Sequence, residues 1–254
     1  MARSRDSWWR IGGAVAVVAV IAFVALAAFV SVSRETPPTA DSVAAPASAG
    51  STSESRTVRP SAAAAPKPVV AFIGDSYTQG AGAEPSSEKW TSQLSAAMNW
   101  DERNFGLGGT GYLQTAGLAA CGLDTCPNYQ ATALEAIQDN PSIVVVSGGQ
   151  NDFPSYAENP VAVQAAIATT FVEIRNALPD VEIIAVGPST PGETTDAVLG
   201  LDKDVRDTAE AFGAQYVSLL DPPVIDPANI LPDGAHVNNA GHTAISRRVQ
   251  SALN

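Results

Sequence analysis

Three stretches differ in how apolar residues are spaced along the chain. Ile11 to Val30 is a run of twenty residues without a charge or a strongly polar side chain, enough for a helix to cross a bilayer core. Residues 34–67 are Ser, Thr, Ala and Pro with scattered charges and no aromatic residue. That composition predicts a disordered linker with a reach of roughly 30–35 Å as a flexible coil, more if its prolines stiffen it. From residue 68 onward, short β-branched runs alternate with longer amphipathic segments. The spacing predicts strands near 68–73, 101–105, 142–147, 181–186 and 215–219. It predicts helices near 86–98, 128–138, 159–178, 195–212 and 239–253. Asn159-Pro160 ahead of Val161 reads as an N-cap with proline at the first helical position. Alternating strands and helices imply an α/β fold with a parallel sheet covered on both faces.

The chain therefore divides into a short N-terminus (1–10), an apolar segment (11–33), a linker (34–67) and one domain (68–254). The last is long enough to bury a sizeable core. Arg3, Arg5 and Arg10 precede the apolar run and Trp8 and Trp9 stand at its entry. By the positive-inside rule, residues 1–10 stay cytoplasmic and the domain is exported. The expectation is a single-pass membrane protein with its domain outside the cytoplasm. The small residues at Ala25-Leu26-Ala27 and Ser31-Val32-Ser33 keep a cleaved signal, and so a secreted form, open. Residues 1–67 hold seven Lys/Arg against four Asp/Glu, a net +3, so the domain carries −15 of the chain's −12. Such a domain repels polyanions, which argues against nucleic acid as a partner.

The first strand ends in Gly74-Asp75-Ser76. A serine at the C-terminal end of a buried parallel strand lies where open α/β sheets bind ligands. Near the C-terminus, Asp233-Gly234-Ala235-His236 places a carboxylate three residues before an imidazole in a turn set by Pro232 and Gly234. A serine nucleophile needs a base for its proton and a carboxylate to fix that base's tautomer. The chain has only two histidines, His236 and His242, and only the first has this spacing. His242 opens the last helix and is expected to be structural or exposed. Gly148-Gly149-Gln150-Asn151-Asp152 follows another strand. The Asn151 amide there can donate to a developing oxyanion, or it can cap a turn. Asn104 to Gly111 is a glycine-rich exit from the second strand that lets backbone N–H groups approach a ligand. Its Gly106-x-Gly108-x-x-Gly111 spacing matches a dinucleotide fingerprint, but no helix pattern opens at the third glycine and no acidic residue follows on a next strand, as that motif requires.

Gly74-Asp75-Ser76, Asn104-x-Gly106-x-x-Gly109, Gly149-x-Asn151-Asp152 and Asp233-x-x-His236 together resemble the four blocks of the GDSL/SGNH hydrolases, in order. The resemblance covers roughly residues 68–254. It implies a three-layer α/β/α sandwich with a flavodoxin-like, five-stranded parallel sheet. It implies Ser76 as nucleophile, His236 as base and Asp233 as its partner. The N–H groups of Ser76 and Gly109, with the Asn151 side chain, would form the oxyanion hole. The implied substrates are esters of lipids, small acyl groups or acylated carbohydrates, with no metal or organic cofactor. Two departures stand out. Tyr77 occupies the place of the family's leucine, a position not expected to decide activity. Gly108 and Gly109 are adjacent, which leaves the register of the second block open by one.

Cys121 and Cys126 lie in an insertion between the second and third strands. Two cysteines do not make a zinc site alone, so in an exported domain a disulfide is expected. The insertion leaves from the same sheet edge as Ser76. It either lines an acyl pocket or reinforces a loop. Trp90 and Trp100 are expected to pack. The reading of the whole is an exported serine esterase. The rivals are an envelope O-acyltransferase on the same site and an inactive envelope-binding module of the same fold. If residues 11–30 remain as an anchor, full-length protein fractionates with membranes and resists salt or carbonate extraction. Recovery of a soluble form starting near residue 28 or 34 would instead show cleavage.

Overall fold

The structure, a computed structural model, describes residues 65–254. The apolar segment at 11–33 and most of the linker lie outside these. Among the described residues, no helix is long and apolar enough to cross a membrane.

Five parallel strands form one sheet: β1 (Val69–Gly74), β2 (Asp101–Gly106), β3 (Ile143–Ser147), β4 (Glu182–Val186) and β5 (Gln215–Val217), in the order β2-β1-β3-β4-β5. This is the doubly wound, flavodoxin-like order. The central strands are buried on both faces, so their sequences are nearly continuous apolar runs. Odd and even positions still sort to different sides. Ala71, Ile73, Val144, Val146, Ile183 and Ala185 join one core, and Val70, Phe72, Val145, Ile184 and Val186 join the other. The first core is closed by α4 (Tyr129–Ala136), α6 (Pro160–Ala177) and α7 (Asp196–Ala211). The second is closed by α2 (Trp90–Met98) and α8 (Asn239–Leu253). The result is a three-layer sandwich. Trp90 is fully buried with its ring edge-on to Phe72 at 5.6 Å, and Trp100 is buried beside them.

The five helices stand where the periodicity predicts them, four with shorter ends and α8 with the expected bounds. Asn159 caps α6 through the Ala162 N–H, ahead of Pro160. Residues 86–88 form only a 3₁₀ turn, because Lys89 is extended and α2 begins at Trp90. The last strand stops at Val217, where the Ser218 hydroxyl accepts from the Leu220 and Asp221 N–H groups and turns the chain. Three short helices have no sequence counterpart: α1 (Ser76–Gln79), α3 (Leu118–Cys121) and α5 (Phe153–Glu158). All three lie in segments that leave the C-terminal ends of strands.

Register sets what those ends can do. Gly74 lies level with Gly106 on one side and with Ser147 on the other. The exits of β2, β1 and β3 therefore start side by side. The ladder continues one step beyond the strands, with the Leu107 N–H donating to the Gly74 carbonyl at 2.9 Å. β1 and β3 are neighbours from which the chain winds in opposite directions. Their shared end is the topological switch point, where this class of sheet binds ligands.

Candidate active site

Ser76 is the first residue of α1, half-buried at the end of β1. Asp75 caps that helix. Its Oδ1 accepts from the Tyr77 N–H at 2.9 Å. Its Oδ2 accepts from the Tyr129 hydroxyl at 3.1 Å, reaching the base of α4. The carboxylate is fully buried beneath the β3 exit, and a Cβ on Gly148 would collide with it. Gly148 also has φ +110°, so both space and backbone conformation require glycine there. Burial pushes the Asp75 carboxyl up to about 6, against the Tyr77, Tyr129 and Gly149 dipoles that favour its charge.

A second buried carboxylate organises the β2 exit. Asp152 accepts from the N–H groups of Tyr112, Leu113 and Gln114 at 2.6, 3.2 and 2.8 Å. Burial raises its pKa as well, with those three N–H groups opposing. Asn104 ties the same region to α1: its amide donates to the Thr78 carbonyl at 2.8 Å and its oxygen accepts from the Gly106 N–H. After Gly111 the chain enters this Asp152-bound loop and opens no helix until Leu118, so the dinucleotide spacing has no dinucleotide context.

The adjacent glycines differ in what their backbones do. The Gly108 N–H donates to Gln79 Oε1 at 3.2 Å. Gly109 has φ +77°, and among the described residues its N–H has no acceptor. Of the two N–H groups, that of Gly108 is used within the protein and that of Gly109 is not, among the described residues. Asn151 sits in the 3₁₀ turn Gln150–Asp152, which has no side-chain cap, and neither has α5 after it. Its Nδ2 donates to the Thr110 carbonyl at 2.8 Å. That bond uses one amide hydrogen and leaves the second free.

Cys121 and Cys126 are joined as a disulfide, with Cα atoms 6.5 Å apart. Ala116 and Cys126 exchange backbone hydrogen bonds across the base of that loop. α3 packs on the glycine turn, where a Cβ on Gly109 would lie 2.7 Å from the Ala120 Cβ and 3.1 Å from the Ala116 Cβ. Of the two roles open to the insertion, reinforcement of the Gly109 turn is the one these contacts describe.

The Asp233–His236 turn lies between β5 and α8. Asp233 Oδ2 meets His236 Nδ1 at 2.7 Å, while Oδ1 accepts from the Ala235 and His236 N–H groups at 2.9 and 3.0 Å. Those two backbone bonds and the imidazole hold the Asp233 carboxyl well below the usual carboxylate range, the His236 N–H first among them. The turn adjoins the serine helix, with the Tyr77 and His236 rings 6.2 Å apart. His242 is fully buried. Its Nε2 donates to the Ala81 carbonyl and its Nδ1 accepts from the Trp90 N–H. Both ring nitrogens are thus committed to the scaffold, and burial lowers its pKa. Among the described residues, no group of three or more His, Cys, Asp or Glu is placed to hold a metal ion.

The fold and this arrangement define a class that comparison identifies. The sequence profile of the GDSL-like Lipase/Acylhydrolase family matches residues 72–244. The chain belongs to that family. A search of curated proteins finds no match. Among solved structures it is similar to TesA, at 18% identity and TM-score 0.58 over 73% of this chain and 98% of that one. It is similar to a family two carbohydrate esterase from Clostridium thermocellum, at 18% identity and TM-score 0.57 over 75% of this chain and 66% of that one. It is also similar to the salicylyl-acyltransferase SsfX3, at 19% identity and TM-score 0.58 over 75% and 55%. These likenesses establish the fold.

In the sequence, Asp75 and Asp152 stand only as letters of their motifs. The structure shows them as the two carboxylates that bind the site's loops together. Asp75 also sets a pH dependence. Its folded pKa lies above the ordinary value near 3.8, so between about 4 and 6 the folded state holds a proton that the unfolded state releases. Its contribution to stability is therefore present at low pH and lost as pH rises through that window. Asparagine cannot ionise. The stability of Asp75→Asn relative to the parent protein should rise by about 2 kcal/mol between pH 4 and pH 7, read from urea unfolding at each pH. A difference that does not change with pH would contradict the burial argument.

Proposed function

We propose that the chain is a serine esterase of the GDSL/SGNH type, with Ser76 as nucleophile, His236 as base and Asp233 as the acid that orients it. The observation that carries the reading is the 2.7 Å contact between Asp233 Oδ2 and His236 Nδ1 in a turn that adjoins the Ser76 helix. With Nδ1–H donated to Asp233, Nε2 is left basic and can take the serine proton. The Ser76 oxygen attacks the ester carbonyl as that proton moves to Nε2. The tetrahedral oxyanion is met by the Ser76 and Gly109 N–H groups and the free Asn151 amide hydrogen. The intermediate collapses, the alcohol leaves with the proton from His236, and an acyl-Ser76 remains. Water, activated by the same histidine, releases the acid and restores the serine. No step requires a metal or an organic cofactor.

The substrates are carboxylic esters: lipid esters, small acyl esters or acylated carbohydrates. Transfer of the acyl group to a sugar hydroxyl is the rival reaction on the same site. The half-open base favours hydrolysis, since the His236 and Asp233 side chains are 30% and 48% exposed and water reaches them. An inactive binding module is disfavoured because every group that the chemistry needs is present. We place the enzyme outside the cytoplasm, held by the apolar segment at 11–33 on the 34–67 linker or released by its cleavage. The support is the arginines, tryptophans and unbroken apolar run of the sequence.

Steady-state kinetics on p-nitrophenyl esters of rising chain length and on acetylated glycans test the reading. Ser76→Ala and His236→Ala should each lower kcat by roughly 10⁴ or more, and Asn151→Ala by roughly 10²–10³ with little change in KM. His242→Ala should lower the thermal midpoint without a comparable loss of kcat. Full activity in Ser76→Ala, or a catalytic loss at His242 and not at His236, would overturn the assignment.

A further inference from the structure

We infer that Tyr77 is a positioning residue, whose hydroxyl holds the Asp233–His236 turn in register with the Ser76 helix. This role presupposes Ser76 as nucleophile and His236 as base.

Tyr77 directly follows Ser76 and is 6% exposed. Its hydroxyl donates to the Ala235 carbonyl at 2.8 Å, across 158 residues of sequence. Ala235 directly precedes His236, so the bond joins the neighbour of the nucleophile to the neighbour of the base. The Ala235 peptide is itself fixed, because its N–H and that of His236 both donate to Asp233 Oδ1. A pull on the Ala235 carbonyl therefore acts on the turn as one piece. The Tyr77 ring also lies against both histidines, with centroids 6.2 Å from His236 and 6.4 Å from His242.

The turn needs such a tie. Pro232, Asp233, Gly234 and Ala235 are all exposed, so little packing holds them in place. Other links between the same two regions lie farther from the chemistry. His242 donates to the Ala81 carbonyl, and Glu84 and Asn239 exchange two hydrogen bonds. These anchor the start of α8. Within the turn, the Leu231 N–H donates to the His236 carbonyl at 2.8 Å and the Gly234 N–H to the Leu231 carbonyl at 2.9 Å, but these bonds hold the turn to its own segment, whereas the Tyr77 hydroxyl ties it to the Ser76 helix. Burial and the nearby Asp75 charge push the Tyr77 hydroxyl up to about 12, so it remains a donor throughout any working pH range. A leucine at this position fills space but has no hydroxyl to reach Ala235. The tyrosine thus does something here that the family's usual leucine cannot.

Two variants separate the hydroxyl from the ring. Tyr77→Phe keeps the ring and removes the donor, and Tyr77→Leu restores the family's residue. Both are compared with the parent protein on one activated ester, for kcat, KM and thermal midpoint. A base misplaced by part of an ångström slows the chemical step without weakening ground-state binding, so kcat of the Phe variant should fall about tenfold with KM near the parent value. The Leu variant should fall at least as far. If it does not fold, the Phe variant decides alone. Parent-level kcat in Tyr77→Phe overturns the inference. So does a loss confined to KM, which would put the hydroxyl on the substrate instead. Ser76→Ala, run alongside, tells the two failures apart. If it is inactive while Tyr77→Phe is unaffected, only the positioning role falls. If it is fully active, the esterase site falls and the positioning role with it.

Discussion

The buried carboxylate of Asp75 is the constraint on which the site depends. Burying a charge is costly unless hydrogen bonds compensate, and here only part of the cost is offset, as its raised pKa shows. In exchange, three elements meet on one group. Asp75 follows β1 and caps the helix that carries Ser76, its second oxygen takes the Tyr129 hydroxyl from α4, and it lies against the Gly148–Gly149 exit of β3. That exit leads directly to Asn151. Burial of Tyr129 keeps its phenol protonated and therefore a donor. An apolar residue in place of Asp75 could fill the volume but could not fix the direction in which the serine turn leaves the sheet.

The remaining loops follow the same logic. They hold few large apolar residues, so polar groups with several partners fix them to the sheet. Asp152 gathers three N–H groups of the β2 exit, and Asn104 ties that exit back to α1. The disulfide-closed insertion then bears on Gly109 through α3. The Asp233–His236 turn is built differently. Its residues 232–235 are exposed, and it is held internally by Asp233 and by backbone bonds with Leu231, and externally by Tyr77. Ser76, Gly109, Asn151 and His236 are all half-buried, unlike the exposed Asp233 to Ala235. His242, the other histidine, is fully buried, with both ring nitrogens spent on the scaffold and burial lowering its pKa.

Much of the fold is legible in the sequence because its signals are local. Val69 to Ile73 and Ile143 to Val146 are β-branched runs buried on both faces, and α6 and α7 show the helical period over several turns. The short helices α1, α3 and α5 are too brief to show any period, and the 86–89 segment is diverted by an extended Lys89. Ser76, Gly109 and Asn151 are visible as motif letters in the exits of β1, β2 and β3, and Asp233 and His236 in the turn before α8. The groups that hold them are not legible as such. Asp75 finds Tyr129 54 residues away, Asp152 finds Tyr112 40 away and Tyr77 finds Ala235 158 away. No local pattern encodes those pairings, and each of these residues reads alone as ordinary turn punctuation or packing.

If the Ser76 hydroxyl is the nucleophile, it becomes acylated during turnover. The direct measurement is rapid acid quenching of the enzyme while it turns over an activated ester, followed by peptide mapping by mass spectrometry. The account predicts an acyl group on the peptide that contains Ser76, absent when the substrate is exhausted before the quench. An adduct on any other residue, or turnover under conditions where deacylation is slow with no adduct at all, would contradict it.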